Sequence, residues 1–452
     1  MLAGFANFDF TPKHGCMPGD FKPMEAEGAR IPLFANAAAF TSGKDSVIII
    51  SMDVLFFKKE GGLEMRGRIS EATGVPVDRI LIAATHTHTG PSIECDSFSY
   101  VYEPETTKLV FDKTVEAGIA AWNNRVEVKL GVGLGYETRF SFNRGYYLKN
   151  GNLVTNGGFD RTDFEKRAGK VDYSVNVMRV EDNDGKVKAF IVNYANHPDN
   201  YRGSQKDMYS ADYPGVLRNE LKREFGEDVV VLFFNGTCGD INCIDFFHRT
   251  SDYYYAKGKF APNTIGEGLA ETVKKINENI ILEGGELYVR SRSAKCTIPR
   301  RFRSEEQYQK GLDILARAEA GEEVSAAELV YAREYTKSLD GIPPTIDVEV
   351  AVLQIGPWAI VGLPSEIFTE IGLKIKANSP YINTLIFELS NGNYGYIATD
   401  RMQGTGLYEA TYSVTSSYVA KGTERALVET SGRMLDDMFA EEETERVKPY
   451  LA

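Results

Sequence analysis

Repeatedly along this chain, a short apolar run of buried-strand length stops at a cluster of glycine and polar residues. Ile80-Leu81-Ile82-Ala83-Ala84 runs into Thr85-His86-Thr87-His88-Thr89-Gly90-Pro91, and Phe190-Ile191-Val192-Asn193-Tyr194 runs into Ala195-Asn196-His197-Pro198. Residues 229–234 give way to Asn235-Gly236-Thr237-Cys238-Gly239-Asp240-Ile241-Asn242. Residues 358–362 give way to Leu363-Pro364-Ser365-Glu366, and 384–389 to Ser390-Asn391-Gly392-Asn393-Tyr394-Gly395-Tyr396. Unbroken apolar runs suit strands covered on both faces, so helices or a second sheet must pack around them. Loops at the ends of such strands are where a rigid sheet can hold chemistry.

Between these runs the spacing turns helical. It predicts helices over 62–73, 108–123, 213–225, 263–276, 366–377 and about 416–440, with further strands at 47–50, 126–132 and 348–355. Asp212 is the expected N-cap of the third helix, with Pro214 in its first turn. Asn183-Asp184-Gly185 between two apolar runs predicts a hairpin. Residues 304–339 lack Pro and β-branched runs, which predicts a helical hairpin around Gly321, inserted into the main domain and ended by Pro343-Pro344. The expectation is a mixed α/β fold with mixed β-sheets flanked by helices. A chain of 452 residues can bury a large core, and length alone allows two or three domains.

A net charge of −13, with no basic run, excludes a nucleic-acid partner, because phosphate binding needs concentrated positive charge. Cys16, Cys95, Cys238, Cys243 and Cys296 are odd in number and scattered, which argues for free thiols in a reducing compartment. Cys238 and Cys243 lack the second pair that a structural zinc cluster needs. The N-terminus has neither the basic start nor the apolar core of a secretion signal. No apolar stretch approaches the roughly 20 residues of a membrane span, and no amphipathic membrane-facing element is evident. The expectation is a cytoplasmic protein acting on a small-molecule substrate, without stable membrane association. Self-association is left open.

Five histidines occur in the chain, and two of them are His86 and His88. In an extended backbone their side chains project the same way, because strands alternate with period two. Two adjacent imidazoles suit a divalent metal, or one can ligate while the other carries a proton. Two hydrogen-bonded buried histidines are the plainer alternative. His197 is delivered in the same manner and stopped by Pro198. Gly236 and Gly239 permit close backbone approach to a ligand, or simply a turn. Asn235-Gly236-Thr237 forms a glycosylation sequon, which its place at a strand end argues against using. Ser365 could cap the following helix, with Glu366 in its first turn favoured by the dipole, and a carboxylate metal ligand is the sharper reading of Glu366.

Taken together, these segments resemble the catalytic domain of the neutral (non-lysosomal) ceramidase family, in order and over most of the chain to about residue 400. The family's Thr-His-Thr-His-Ser-Gly-Pro is matched by Thr85–Pro91, and its His-Pro by His197-Pro198. Its Asn-Arg-Ser and Tyr-Leu-x-Asn stretch resembles Asn143-Arg144-Gly145-Tyr146-Tyr147-Leu148-Lys149-Asn150. Gly239-Asp240-Ile241-Asn242 stands for its Gly-Asp-Val-Ser, Ser365-Glu366-Ile367-Phe368-Thr369 for its Gly-Glu-Phe-Thr, and Tyr394-Gly395-Tyr396-Ile397-Ala398-Thr399 for its Tyr-Ile-Thr-Thr loop. The resemblance implies zinc held by His86, His197, Glu366 and Tyr396, with His88 acting on water or substrate and Arg144 polarising the substrate carbonyl. Gly239, Asp240 and Tyr394 fall on loops expected to bind substrate. Asn242 joins His88 and Arg144 as a catalytic candidate, but it replaces a serine, so a nucleophilic-serine role does not carry over.

The resemblance implies one large catalytic domain over residues 1–452, with the hairpin at about 304–340 and without the family's C-terminal immunoglobulin-like domain. The leading expectation is a zinc hydrolase of an amide, or secondarily an ester, in a small polar or N-acyl substrate. An amidohydrolase-type barrel would also end a strand in His-x-His. It would require eight regular βα units, another histidine and a late Asp, and the hairpin and scarce histidines weigh against it. A catalytically inactive metal- or ligand-binding homologue is the third reading, favoured by Asn242. His14 and His248 have no counterpart in the scheme, although His248, close behind the Gly239-Asp240 loop, could face the substrate.

Overall fold

The computed structural model describes residues 1–19, 23–94, 101–159, 161–201, 207–250 and 262–451, with side chains to residue 445. Eight strands form a mixed sheet: β1 (Leu2–Asp9), β2 (Phe34–Ser42), β3 (Asp45–Met52), β4 (Ile80–Ala84), β5 (Val126–Tyr136), β6 (Ser174–Asp182), β7 (Val187–Tyr194) and β8 (Val230–Asn235). Their order is β8-β7-β6-β5-β1-β2-β3-β4. A second sheet has the order β9 (Val289–Pro299), β10 (Thr345–Ile355), β11 (Trp358–Gly362), β12 (Thr384–Phe387). Most pairings are antiparallel. The exceptions in these two sheets are β3/β4, β7/β8 and β11/β12, all parallel. Each of those pairs ends at junctions that the sequence singles out.

The two sheets pack face to face. Phe5, Phe40, Ile49, Leu81, Met178, Ile191, Leu232 and Phe234 from the first meet Leu353, Ile360, Leu385 and Phe387 from the second. The rings of Phe234 and Phe387 stack at 4.0 Å between centroids. Helices α1 (Lys59–Thr73) and α2 (Pro104–Asn123) cover one half of the first sheet's outer face, and α3 (Asp212–Phe225) and α4 (Pro262–Asn277) the other. Beyond the second sheet lie α7 (Thr369–Asn378) and α8 (Thr423–Leu451), reached after the α5 (Glu305–Glu319) and α6 (Ala326–Thr336) hairpin. The layers therefore run helix, sheet, sheet, helix. Such an arrangement of open mixed sheets rules out the amidohydrolase-type barrel.

The sheets are also joined where their strands end. The Asn193 side chain donates to Phe234 O and to Ile386 O, each at 3.0 Å, and Glu388 N donates to Asn235 O at 3.1 Å. The free edge of β4 is covered by the segment after β12: Asn391 N donates to Ile82 O, and Asn391 Oδ1 accepts from Ile82 N. Covering an edge strand in this way removes a site for stray pairing.

Several expectations shift. The segment Phe-Ala-Asn-Ala-Ala-Ala-Phe gives no strand signal, yet it forms β2, because Ala35, Ala37 and Ala39 leave room for α2 to approach. Gly4 in β1 serves the same approach: a Cβ there would lie 2.1 Å from Ala121 O. Asp212 is the first residue of α3 and not its N-cap; its carboxylate instead accepts from Asn200 and Tyr213 N. The helix expected from Glu366 begins at Thr369, and the last helix begins at Thr423. The 304–340 hairpin forms as expected, each helix opened by a capping box, Ser304 with Gln307 and Ser325 with Glu328. Among the described residues Cys16, Cys238, Cys243 and Cys296 are thiols outside any disulfide; Cys95 lies outside the described residues. No helix among the described residues is long and apolar enough to cross a membrane.

Because Phe234 and Phe387 hold the two sheets together above the strand ends, Phe234→Ala is expected to cost about 3–5 kcal/mol of unfolding free energy. Urea titration checks this; a loss below about 1 kcal/mol would mean that the stack is not a principal inter-sheet contact.

Candidate metal centre

His86 leaves β4 in the left-handed region, at φ 72°. The alternation argument for His86 and His88 therefore fails, because the backbone between them is not extended. Tertiary contacts bring their rings together instead, at 5.0 Å between centroids. His86 N donates to Val54 O beside the end of β3, and His88 N donates to Pro198 O, which clasps the two histidine loops. Asn235 adds a second clasp: its side-chain oxygen accepts from Asn196 N, and its side-chain nitrogen donates to Asn196 O and reaches Thr85 O. Its amide is fully buried, so the sequon is closed to glycan transfer in the folded chain.

Nδ1 of His86 lies 2.8 Å from Leu55 O, and Nδ1 of His197 lies 3.1 Å from Cys238 O. A carbonyl only accepts, so both rings carry hydrogen on Nδ1 and turn Nε2 toward each other, 3.0 Å apart. Glu366 Oε2 sits 3.2 Å from His86 Nε2 and 3.7 Å from His197 Nε2, buried and without a well-formed hydrogen bond. Two imidazole lone pairs and a carboxylate oxygen cannot share such a space without positive charge. Ligands at about 2.1 Å around a tetrahedral zinc stand about 3.4 Å apart, so the spacing of this donor set fits that ion. The backbone carbonyls on both Nδ1 atoms are the outer partners that orient ligating histidines.

The electrostatics agree. Burial opposes the His86 imidazolium, but the Glu366 carboxylate outweighs it and raises the pKa. Burial, followed by Arg144 and the neighbouring histidines, pushes His197 well below its usual value. Glu366 is held low despite burial, chiefly by His86. The cluster thus selects one positive charge between His86 and His197, which a proton or a metal ion can supply.

Tyr396 belongs to this cluster: Glu366 and Tyr396 are register partners in a short parallel pairing of Glu366–Ile367 with Tyr396–Ile397. That pairing corrects the placement of Glu366 in a helical first turn; Ser365, at φ 89°, bonds Tyr394 N and does not cap the helix. Arg144 is buried alongside, with Nη1 3.4 Å from His197 Nε2 and Nη2 3.3 Å from Tyr396 Oη and 2.8 Å from Gly239 O. His88 is partly exposed, with Nδ1 3.9 Å from Asp199 Oδ1. Nitrogens of all three histidines lie within 4.8 Å of one another.

Other candidates sit further out. Gly239 supplies its carbonyl to Arg144 and lies so close to the Glu366 backbone that a Cβ would meet Glu366 O at 2.7 Å. The Asp240 carboxylate is occupied by Asn143 and by Thr369, where it holds the start of α7, and burial raises its pKa to about 6. The Asn242 side chain bonds Asn156 and Ile244 N. Tyr394 turns its hydroxyl to Asp347 O. His248 bonds Asp245 and lies against Phe247.

Sequence reasoning missed Glu388 and Glu409. Fully buried Glu388 accepts from Cys238 N, Ile367 N and the Cys238 thiol, tying the loop under His197 to the Glu366 strand. Glu409 pairs with Arg144. A charged residue inside otherwise apolar sequence was the available signal for Glu388, which follows Thr384-Leu385-Ile386-Phe387 directly.

Two solved structures share this architecture. One is a neutral ceramidase from Pseudomonas aeruginosa, with TM-score 0.70 and 17% identity, covering 95% of this chain and 73% of that one. The other is a ceramidase complexed with C2, with TM-score 0.70 and 16% identity, covering 97% and 75%. The fold is neutral ceramidase-like. No family model matches the sequence, and no curated protein is significantly similar to it.

Burial raises the Glu388 pKa from 4.5 to about 8. Between an ordinary carboxyl value and the raised one the folded state binds the extra proton, so this group makes stability fall as pH rises through that window. Metal-stripped wild type is therefore expected to lose stability between about pH 5 and 8 relative to Glu388→Gln. Parallel stability–pH curves for the two proteins would refute the assignment.

Proposed function

We propose that this protein is a zinc-dependent hydrolase of an amide bond, secondarily an ester, in a small N-acyl substrate. The observation that carries this reading is the convergence of His86 Nε2, His197 Nε2 and Glu366 Oε2, with Arg144 beside them. Tyr396 completes the ligand set. A zinc ion held by these residues supplies a Lewis acid and lowers the pKa of water to about 7.

The chain's own groups supply the rest. Arg144, fixed through Nε and Nη2, directs Nη1 toward the space in front of His197, where it would donate to the oxygen that gains charge during acyl transfer. His88 is the proton carrier: it lies at the edge of the cluster, partly exposed, close to Asp199. It would take a proton from the attacking water and return it to the leaving amine. The likeness of fold to enzymes named as ceramidases supports an N-acyl substrate, with residues 1–452 acting as one catalytic unit. A second reading, in which His88 is a third histidine ligand, draws on the 4.8 Å clustering of all three rings' nitrogens.

Purified protein is expected to carry about one zinc per chain. His197→Ala should abolish that content. His88→Ala should keep the metal and lower turnover by about 10²–10⁴; equal metal loss in both variants would favour the three-histidine reading. Turnover should appear in a panel of N-acyl amides and esters that includes a short-chain ceramide, and Arg144→Met should lower kcat by about 10²–10³. Metal-loaded protein that cleaves nothing in the panel would instead indicate an inactive binding homologue.

A further inference from the structure

Arg144 brings a cation into the interior beside Glu366, and two carboxylates are placed to compete for it. Glu409 takes it. This side chain is 1% exposed and sits on the short turn Tyr408–Ala410. One carboxylate oxygen accepts from Arg144 Nε, and the other accepts from the Thr155 hydroxyl at 2.8 Å. The turn is itself pinned, since Tyr408 N donates to Thr155 Oγ1 and the Ser417 hydroxyl donates to Glu409 O at 2.7 Å. A guanidinium is a rigid planar fork, so fixing Nε to Glu409 and Nη2 to Gly239 O fixes the direction of Nη1.

We propose that Glu409 is the positioning residue of Arg144: it holds the guanidinium away from Glu366, leaving that carboxylate for a cation, and aims Nη1 at the histidine pair. The inference rests on the metal-site reading above. With Glu409 made neutral, a buried guanidinium lacks its partner, an arrangement that a low-dielectric interior penalises strongly. Glu366 is close by: it is the register partner of Tyr396, whose hydroxyl lies 3.3 Å from Arg144 Nη2, and its Oε2 lies 3.7 Å from the same His197 Nε2 that Arg144 Nη1 approaches at 3.4 Å. Pairing there would place a fixed positive charge against a metal ligand.

The test is zinc affinity, measured by competition with a chelator, in wild type, Glu409→Gln, Arg144→Met and the double variant. Glu409→Gln is expected to weaken zinc binding about tenfold or more. In the Arg144→Met background the same substitution should have no further effect, because the competing cation is gone. Unchanged affinity in Glu409→Gln overturns the inference. So does an equal loss with and without Arg144, which a merely loosened fold would produce. Should Glu409→Gln not fold, Thr155→Val removes the hydroxyl that supports the second oxygen and accepts from Tyr408 N, and is expected to show a smaller loss with the same dependence on Arg144; no loss there overturns the inference. Wild type that binds no zinc at all defeats the metal reading itself, which is a separate result.

Discussion

The apolar seam between the two sheets is the constraint on which the rest depends. Phe234 and Phe387 stack across it, and each lies at the end of a strand just before a site loop. Burying both inner faces forces the ends of three parallel pairs to the same edge of the molecule. Past that edge the backbone can no longer continue its ladders, so its polar groups must find other partners. Asn193, Asn235, Glu388 and Asn391 supply them by bonding from one strand end or loop to the next.

A lattice of that kind can hold strain. His86, Ser365 and Leu389 all have positive φ, and all lie at strand ends around the cluster. Non-glycine residues in that region cost free energy that only surrounding contacts can offset. At His86 the offset comes from backbone bonding to Val54 and ring bonding to Leu55, and the result is an imidazole turned inward. The charges follow the same logic: Glu366 stays anionic in the interior because His86, Tyr396 and Arg144 face it, and Arg144 stays fixed because Glu409 faces it.

Much of this was legible. The apolar runs gave the strands, the Asn183-Asp184-Gly185 turn gave the hairpin, and the stretch around Gly321 without Pro or β-branched runs marked the inserted helices. β2 was hidden because alanine has no strand preference of its own and is there to let a helix approach. Glu366 was assigned to a helix because Ser-Glu before an apolar run is a capping signal, whereas its pairing with Tyr396 joins residues too distant in sequence to show any local sign. Asp240 and Tyr394 looked like substrate residues from their loops, and only packing reveals that one holds α7 and the other faces Asp347.

The sequence by itself determined which side chains could do chemistry, because ligand types placed just after apolar runs are local facts that composition and order express. Tertiary structure decided what each of them faces. The inward turn of His86, the shared space of three donor atoms, and the choice of Glu409 over Glu366 as the partner of Arg144 are set by contacts spanning 31 to 265 residues of chain. Local propensity carries no information at such separations; only the packing of two sheets against each other does.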